Sequence, residues 1–301
     1  MKKIDAQNVM LEDGDQAIQR AIESLKKDAY IQSVMQSLSL TEQEIEQHLS
    51  TLLTMQENHQ EIAQCEYQKS CMKPAGHYEV ALKRNAVGFL ERYMRPCPML
   101  VSQLNVNQSL LYADFPDTWK DGNLFSEVSQ RHHRKELGQT LARYLIDFPQ
   151  YRHQNAFIYG PSRSGKSFSL ATFAYKFALN EIGTIGMIDV AKRASDWLTM
   201  KQEEPEAFAR EWTRLIKLDV LILDRLGDET NLDKTRDFLW LPLLQERLHD
   251  QKATLIISSF SLEDLLVLYA VFPSQKPKAK QLISLLESFE NHHYLAPATP
   301  L

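Results

Sequence analysis

The sequence predicts an α/β protein whose main domain is a parallel β-sheet covered by helices on both faces. Three observations lead to this prediction. Apolar runs of strand length alternate with helical segments through the C-terminal half of the 301-residue chain, which is typical of parallel sheets buried on both sides. A glycine-rich loop joins one of these strands to a helix. A second apolar strand, about sixty residues further on, ends in a carboxylate.

The N-terminal residues, up to position 60 or so, are predicted to be helical. The segment Thr41–Glu44 has the pattern of a capping box, and Ile45 and Leu49 follow it at helical spacing. An earlier amphipathic segment runs from Ala17 to Leu25. A solvated helical bundle and a partner-binding helical hairpin would both produce this pattern.

The region from 65 to 97 differs in composition from the rest of the chain, because all the cysteines lie in it. The candidate ligands for a metal there are Cys65, Cys71, His77 and Cys97. Thiolates and imidazole suit the tetrahedral coordination of Zn²⁺, but the usual pair of cysteines two residues apart is absent. Free buried cysteines that act as small apolar residues explain the same pattern. An odd number of cysteines does not suggest a disulfide framework.

These changes in texture divide the chain into three parts. We expect an N-terminal domain over 1–105, in which 60–100 is the cysteine-containing part, then a polar linker over 106–135, and a domain over 136–301. Five parallel strands are predicted in the last domain. They lie near 156–159, 184–190, 218–223, 254–258 and 293–295.

The loop after the first of these strands has the pattern of a phosphate-binding P-loop. It consists of Gly160, Pro161, Ser162, Arg163, Ser164, Gly165, Lys166 and Ser167. In such a loop the backbone amides surround the β-phosphate at the start of a helix. Lys166 is expected to reach the β- and γ-phosphates, and the Ser167 hydroxyl to hold Mg²⁺. The loop therefore predicts that the chain binds a nucleoside triphosphate.

The strand Asp219–Leu223 is followed by Asp224, which we expect to hold the hydration shell of Mg²⁺. Hydrolysis needs a further group that polarises the attacking water. In many ATPases this acid directly follows the magnesium aspartate, but here the next residue is Arg225, which cannot accept a proton at neutral pH. Asp228 or Glu229 could substitute for it, or both could be surface carboxylates.

Composition excludes some classes of function. The formal net charge of −5 argues against a surface coated with positive charge for DNA, so any contact with DNA must use a local patch. The best basic clusters are Lys192-Arg193 and Lys276–Lys280, which could equally be solvated surface charge. The longest apolar run, Leu265–Phe272, is too short to cross a bilayer. Without a signal-like N-terminus, we expect a cytoplasmic location.

Several blocks of sequence in the C-terminal domain carry a family resemblance. They are Leu221–Glu229, Thr235–Asp237, Leu241–Arg247 and Ala253–Leu265, in addition to the P-loop and the Asp114-Phe115-Pro116 connector. In these blocks the chain resembles bacterial replicative helicase loaders of the primosomal protein DnaI type, which are AAA+ proteins. The resemblance extends over most of the length of the chain.

The resemblance implies specific partners and cofactors. Loaders of this type escort the hexameric replicative helicase onto single-stranded DNA, and could self-associate on it. It implies that residues 1–105 engage the helicase and hold Zn²⁺ through Cys65, Cys71 and Cys97, with His77 as the fourth ligand. It also implies an AAA+ domain that binds ATP and Mg²⁺. In such domains a polar residue just past the fourth strand, here Ser259, contacts the γ-phosphate or the water.

The chain departs from the family pattern at three catalytic positions. Arg225 replaces an acid, Ser259 replaces an asparagine, and the final helix, around 280–288, has no arginine. Each such loss can cost orders of magnitude in rate, whereas phosphate binding needs none of these groups. We therefore expect ATP binding with slow or absent hydrolysis. A fully active loader ATPase and a transposition-accessory AAA+ protein are the alternatives.

Overall fold

The computed structural model describes residues 13–63, 65, 78–85, 87–120, 122, 135–270 and 272–296. The chain divides into two compact units, residues 1–103 and 104–301. Cys71 and His77 lie outside the described residues. Within the described part, no helix is long and apolar enough to span a membrane.

Within its described residues, the first unit contains four helices, then two antiparallel strands and the beginning of a further helix. Its elements are α1 (Asp13–Lys27), α2 (Ala29–Ser37), α3 (Glu42–Gln47), α4 (Leu49–Ala63), β1 (Tyr78–Arg84) and β2 (Leu90–Pro96). Its core is formed by apolar residues of the helices, among them Ile22, Ile31 and Leu52, with Val80 and Leu82 of β1. The predicted capping box is confirmed. The Thr41 side chain accepts a hydrogen bond from the Glu44 amide, and the Glu44 carboxylate accepts one from the Thr41 amide.

The boundary between the two units lies within α5 (Pro98–Ser109), and the second unit is built on a six-stranded sheet. The strands are β3 (Leu110–Ala113), β4 (Ala156–Tyr159), β5 (Ile185–Asp189), β6 (Val220–Leu226), β7 (Ala253–Ser258) and β8 (Asn291–Tyr294). Their order is β3-β5-β6-β7-β4-β8, and every neighbouring pair is parallel. The predicted α/β class with a parallel sheet is confirmed.

The predicted number of five strands is wrong, because the sheet has six. The strand that sequence patterns missed is β3, which lies in the stretch 106–135 that we interpreted as a linker. It has only four residues, and of these only Tyr112 is buried. A strand so short shows no usable alternation of apolar and polar residues. Pairing with β5 at the edge of the sheet defines it instead.

Helices cover both faces of this sheet. They are α6 (Lys135–Ile146), α7 (Phe148–Tyr151), α8 (Lys166–Leu179), α9 (Val190–Glu203), α10 (Pro205–Lys217), α11 (Leu232–Thr235), α12 (Leu241–His249), α13 (Leu262–Tyr269) and α14 (Lys276–Glu287). Alternate residues of β6 point to opposite faces. Val220 and Ile222 belong to the apolar cluster that includes α6 and α8, and Leu221 and Leu223 to the one that includes α9 and α12.

The strand order determines where the polar strand ends meet. Because these strands are parallel, the loop that follows β4 lies on the same edge as the carboxyl ends of β5, β6 and β7. Ligands of open parallel sheets bind at this edge. The fold therefore brings the glycine-rich loop, Asp224 and Ser259 together.

Candidate nucleotide-binding site

The loop between β4 and α8 is shaped by two glycines. Gly160 has φ +140° and Gly165 has φ +87°, values at which a side chain would be strained. Gly160 also lies directly against the carbonyl oxygen of Leu295, which a Cβ atom would strike. The Leu295 amide donates to the Tyr159 carbonyl at 2.8 Å, so the residue after β8 supports the start of the loop.

Lys166 is the first residue of α8, and its side chain is buried in this loop. Its ammonium donates to the carbonyl oxygens of Gly160 at 2.6 Å and Pro161 at 2.8 Å, and to the Ser164 hydroxyl at 3.2 Å. Burial lowers the pKa of this ammonium, while the charges of Asp224 and Asp228 act in the opposite direction. A buried cation surrounded by neutral acceptors at a helix N-terminus is chemically suited to an anion. The residues present therefore fit a phosphate group.

Ser167 and Asp224 are joined across the cleft, since the Ser167 hydroxyl donates to the Asp224 carboxylate at 2.9 Å. Asp224 lies in β6, in register with Asp189 of β5. Its burial raises the pKa of the Asp224 carboxyl to about 6, an effect that the Ser167 hydrogen bond partly counters and the nearby Asp189 charge reinforces. A hydroxyl and a carboxylate oxygen at hydrogen-bonding distance are the ligand types that Mg²⁺ takes in such sites.

The raised pKa of Asp224 predicts a pH-dependent affinity for Mg·ATP. Because Mg²⁺ needs the ionised carboxylate, and ionisation is lost as the pH falls through about 6, we expect affinity to drop about 10-fold between pH 7 and pH 5. Calorimetric titrations at both pH values measure this. Asp224→Asn should bind Mg·ATP more weakly at pH 7, and its affinity should lack the part of the pH dependence that comes from ionisation of Asp224. Protonation of the nucleotide affects both proteins alike, so equal pH slopes in the two would contradict the prediction.

These groups line a cleft of about 370 Å³, a volume typical of small-molecule sites. Its lining comprises Trp119, Ser162, Arg163, Ser164, Gly165, Lys166, Ser167, Phe168, Asp224, Arg225, Asp228, Ile257, Ser258 and Ser259. Of the predicted site residues, Ser162–Ser167 of the loop thus meet Asp224, Asp228 and Ser259 in one place.

Trp119 is a lining residue that sequence reasoning missed. It ends a 3₁₀ turn, Asp117–Trp119, within the predicted linker. The Thr172 hydroxyl of α8 donates to its carbonyl at 3.0 Å, and its ring packs edge-on against Phe168 at 5.9 Å. A half-buried indole beside a phosphate loop offers an aromatic face for a base. The sequence offers one weak signal for Trp119, which is an aromatic residue two positions after Asp117. Its contact with Phe168 could not be predicted, because Phe168 is distant in sequence.

The two acids proposed as substitutes for the catalytic carboxylate have different environments. Asp228 is exposed and lines the cleft. Glu229 is buried, and its carboxylate accepts hydrogen bonds from the Gly227 amide at 2.8 Å, the Trp240 indole at 2.7 Å and the Tyr269 hydroxyl. Glu229 is thus neither a surface carboxylate nor a lining residue of the cleft, and the structure places it in the core. Its role is to hold the loop after β6 against α13.

The three serines at and after the end of β7 make different contacts. The Ser258 hydroxyl is buried and donates to the Leu226 carbonyl at 2.7 Å, so it fixes β7 to the end of β6. Ser259 is half-buried and lines the cleft. The Ser261 side chain caps α13 by accepting from the Asp264 amide. Ser259 therefore lies in the cleft, while Ser261 caps the helix that follows.

The basic clusters considered for DNA are partly used in ion pairs within the chain. Arg193 contacts both carboxylate oxygens of Asp114, at 2.5 and 2.7 Å. Lys192 lies 3.8 Å from Asp189, and Lys278 lies 2.9 Å from Asp237. Arg193 in particular is committed to Asp114 at the end of β3.

The predicted zinc site cannot be built from the described residues alone. Cys65 is exposed, and Cys97 is buried, with its sulfur accepting from the Leu100 amide at 3.4 Å. Cys71 and His77 lie outside the described residues, and among the rest no group of three potential ligands is close enough for a metal. Zinc coordination stays a prediction.

A glycine-rich loop, a buried lysine and a Ser–Asp pair at the carboxyl edge of a parallel sheet define this unit as a P-loop α/β domain. No family model and no curated protein matches the chain. Solved structures that share its fold include the following two. One, described as a primosome component from Streptococcus pyogenes serotype M3, has a TM-score of 0.52 and 20% identity, and covers 66% of this chain and 99% of the solved one. The other is DnaI, with a TM-score of 0.52, 18% identity, and coverage of 65% and 98%. The resemblance to DnaI-type loaders is confirmed at the level of fold.

Proposed function

We propose that this protein is an ATP-binding loader of the replicative DNA helicase. The observation that carries this proposal is the phosphate cleft on a fold shared with DnaI and a primosome component. The sequence blocks between Leu221 and Leu265 support it independently of the fold. Residues 1–103 would engage the helicase, and the cleft of the second unit would bind Mg·ATP.

In this proposal the nucleotide acts mainly as a conformational ligand. Gly160–Lys166 would hold the phosphates, and Ser167 with Asp224 would hold Mg²⁺, whose positive charge neutralises the phosphates when it is bound. ATP can bias an assembly equilibrium by binding one state more tightly, without being split. Hydrolysis is expected to be slow, since the residue that follows Asp224 is Arg225, which cannot serve as a base.

A fully active ATPase is the second candidate, favoured by Asp228, which of the two candidate catalytic acids Asp228 and Glu229 is the one that lines the cleft. Turnover by the purified protein with helicase and single-stranded DNA distinguishes the two. Robust turnover that Asp228→Asn abolishes would establish the second candidate and overturn the first.

We expect the protein to co-purify with the replicative helicase of its host, and more strongly in the presence of Mg·ATP. The measurement is affinity capture of the tagged protein with purified helicase, with and without nucleotide. Lys166→Ala should retain the nucleotide-independent part and lose the increase, because its phosphate loop is impaired. Absence of the helicase under both conditions would contradict the loader function. A parallel capture with purified transposase that succeeds where the helicase fails would favour a transposition-accessory role.

Zinc and DNA belong to the same proposal. Cys65, Cys71, His77 and Cys97 would hold one Zn²⁺ in the first unit, which metal analysis of wild type and Cys71→Ser tests directly. Contact with single-stranded DNA would involve few phosphates, so the logarithm of affinity should depend on the logarithm of salt concentration with a slope of only a few units.

A further inference from the structure

Arg225 is an unusual lining residue of the cleft, because a cation occupies the position that directly follows the magnesium aspartate. Its side chain is 44% exposed, and it lines the same cleft as Lys166, Asp228 and Ser259. The residue that follows the magnesium aspartate faces the terminal phosphate when the phosphate loop, Gly160–Ser167, surrounds the β-phosphate. The sequence alone indicated only that a base is missing here.

The backbone holds Arg225 in a strained conformation. Its φ of +66° lies in the left-handed region, which is unfavourable for a residue with a side chain. Two hydrogen bonds hold the turn that begins at Arg225: the Asp228 amide donates to the Arg225 carbonyl at 3.0 Å, and the Ser258 hydroxyl donates to the Leu226 carbonyl at 2.7 Å. Strain that the surroundings maintain in this way is a feature of ligand sites.

The guanidinium is anchored at one end. One terminal nitrogen lies 3.0 Å from the Asp189 carboxylate, and that carboxylate is itself fixed by the Lys192 amide at the start of α9, at 3.3 Å. A guanidinium has five N–H donors in a planar fork, which suits bidentate contacts with phosphate oxygens. A half-exposed fork that is anchored on one side can therefore bind an anion on the other with little loss of side-chain entropy.

We propose that Arg225 is a ligand of the terminal phosphate of a bound nucleoside triphosphate, and that it makes the site select triphosphate over diphosphate. This inference rests on the proposed nucleotide binding and goes beyond it. Lys166 and the loop amides serve both nucleotides, whereas Arg225 contacts only the phosphate that ADP lacks. The substitution that removes a catalytic acid thus supplies a phosphate ligand, and the site distinguishes nucleotides by binding alone.

The test compares the affinities of the full-length protein for Mg·AMPPNP and Mg·ADP by calorimetry. Wild type should bind the triphosphate analogue more tightly. Arg225→Ala should lose about 10- to 100-fold for AMPPNP, the loss expected for hydrogen bonds to a charged group, with ADP affinity unchanged within about 2-fold. Arg225→Lys, which keeps the charge but not the fork, should fall between the two.

Lys192→Ala is the matched control. Like Arg225→Ala, it removes one positive charge near Asp189, but the Lys192 side chain does not line the cleft. The affinities for AMPPNP and for ADP should therefore both stay as in wild type. Equal losses of AMPPNP and ADP affinity in Arg225→Ala, or no loss in either, would overturn the role of Arg225 while leaving nucleotide binding intact. A wild-type protein that binds neither nucleotide would overturn both proposals. Thermal unfolding of each variant separates loss of binding from loss of fold.

Discussion

Lys166→Ala is expected to reduce the affinity for Mg·ATP by at least about 100-fold. The Lys166 ammonium is the buried cation of the loop and is surrounded by the carbonyl oxygens of Gly160 and Pro161. Charge-assisted hydrogen bonds of a buried cation are worth about 1.5–3 kcal/mol each, and this lysine can reach two phosphates. Calorimetric titration with Mg·ATP measures the loss.

Lys176→Ala is the control for this variant, because Lys176 lies on the same helix, α8, but does not line the cleft. Its affinity should equal that of wild type. Undiminished binding by a folded Lys166→Ala protein would show that the cleft is not the nucleotide site, and the proposed function would lose its main support.

Glu229→Ala is expected to destabilise the protein by about 3–5 kcal/mol, the range for removing one partner of a buried charged network. Without the carboxylate, the Gly227 amide, the Trp240 indole and the Tyr269 hydroxyl lose their buried acceptor. Burial already raises the pKa of Tyr269 well above its usual value, so this hydroxyl remains a donor at neutral pH. Urea unfolding followed by tryptophan fluorescence measures the free energy of unfolding.

Asp228→Ala is the matched control, since it removes the same charge one residue earlier, from an exposed position. Its effect on stability should stay within about 0.5 kcal/mol. If the two variants were equally stable, the buried network around Glu229 would be excluded. The comparison also guards against misinterpreting a loss of turnover in Glu229→Ala, which would follow from unfolding and not from loss of a catalytic acid.

The parts of the fold that sequence predicted are those with strong local patterns. The strand before Gly160 and the strand before Asp224 are apolar runs, and each is followed by a recognisable polar motif, the glycine-rich loop in one case and a carboxylate in the other. Their meeting at one edge of the sheet follows from the parallel topology, which the alternation of elements predicted. The capping box at Thr41 was likewise predictable, because its hydrogen bonds join residues only three positions apart.

The parts that sequence did not predict depend on contacts between distant residues. β3 is a strand because of its pairing with β5, and Trp119 reaches the cleft through its contacts with Phe168 and Thr172. Glu229 was predicted to be a surface or catalytic acid, because two of the groups that donate hydrogen bonds to its buried carboxylate, the Trp240 indole and the Tyr269 hydroxyl, lie well downstream in the sequence. No pattern within a short stretch of sequence can show that a buried carboxylate accepts hydrogen bonds from residues distant in sequence.

The contact between Gly160 and Leu295 has a consequence for biosynthesis. The phosphate loop has its amides and its lysine as soon as the segment around β4 emerges from the ribosome, but the backbone that supports Gly160 belongs to residues made much later. A nascent chain that ends before β8 would expose the flank of β4 as an open sheet edge. The contact that closes over Gly160 can therefore form only once the last strand of the sheet has been made.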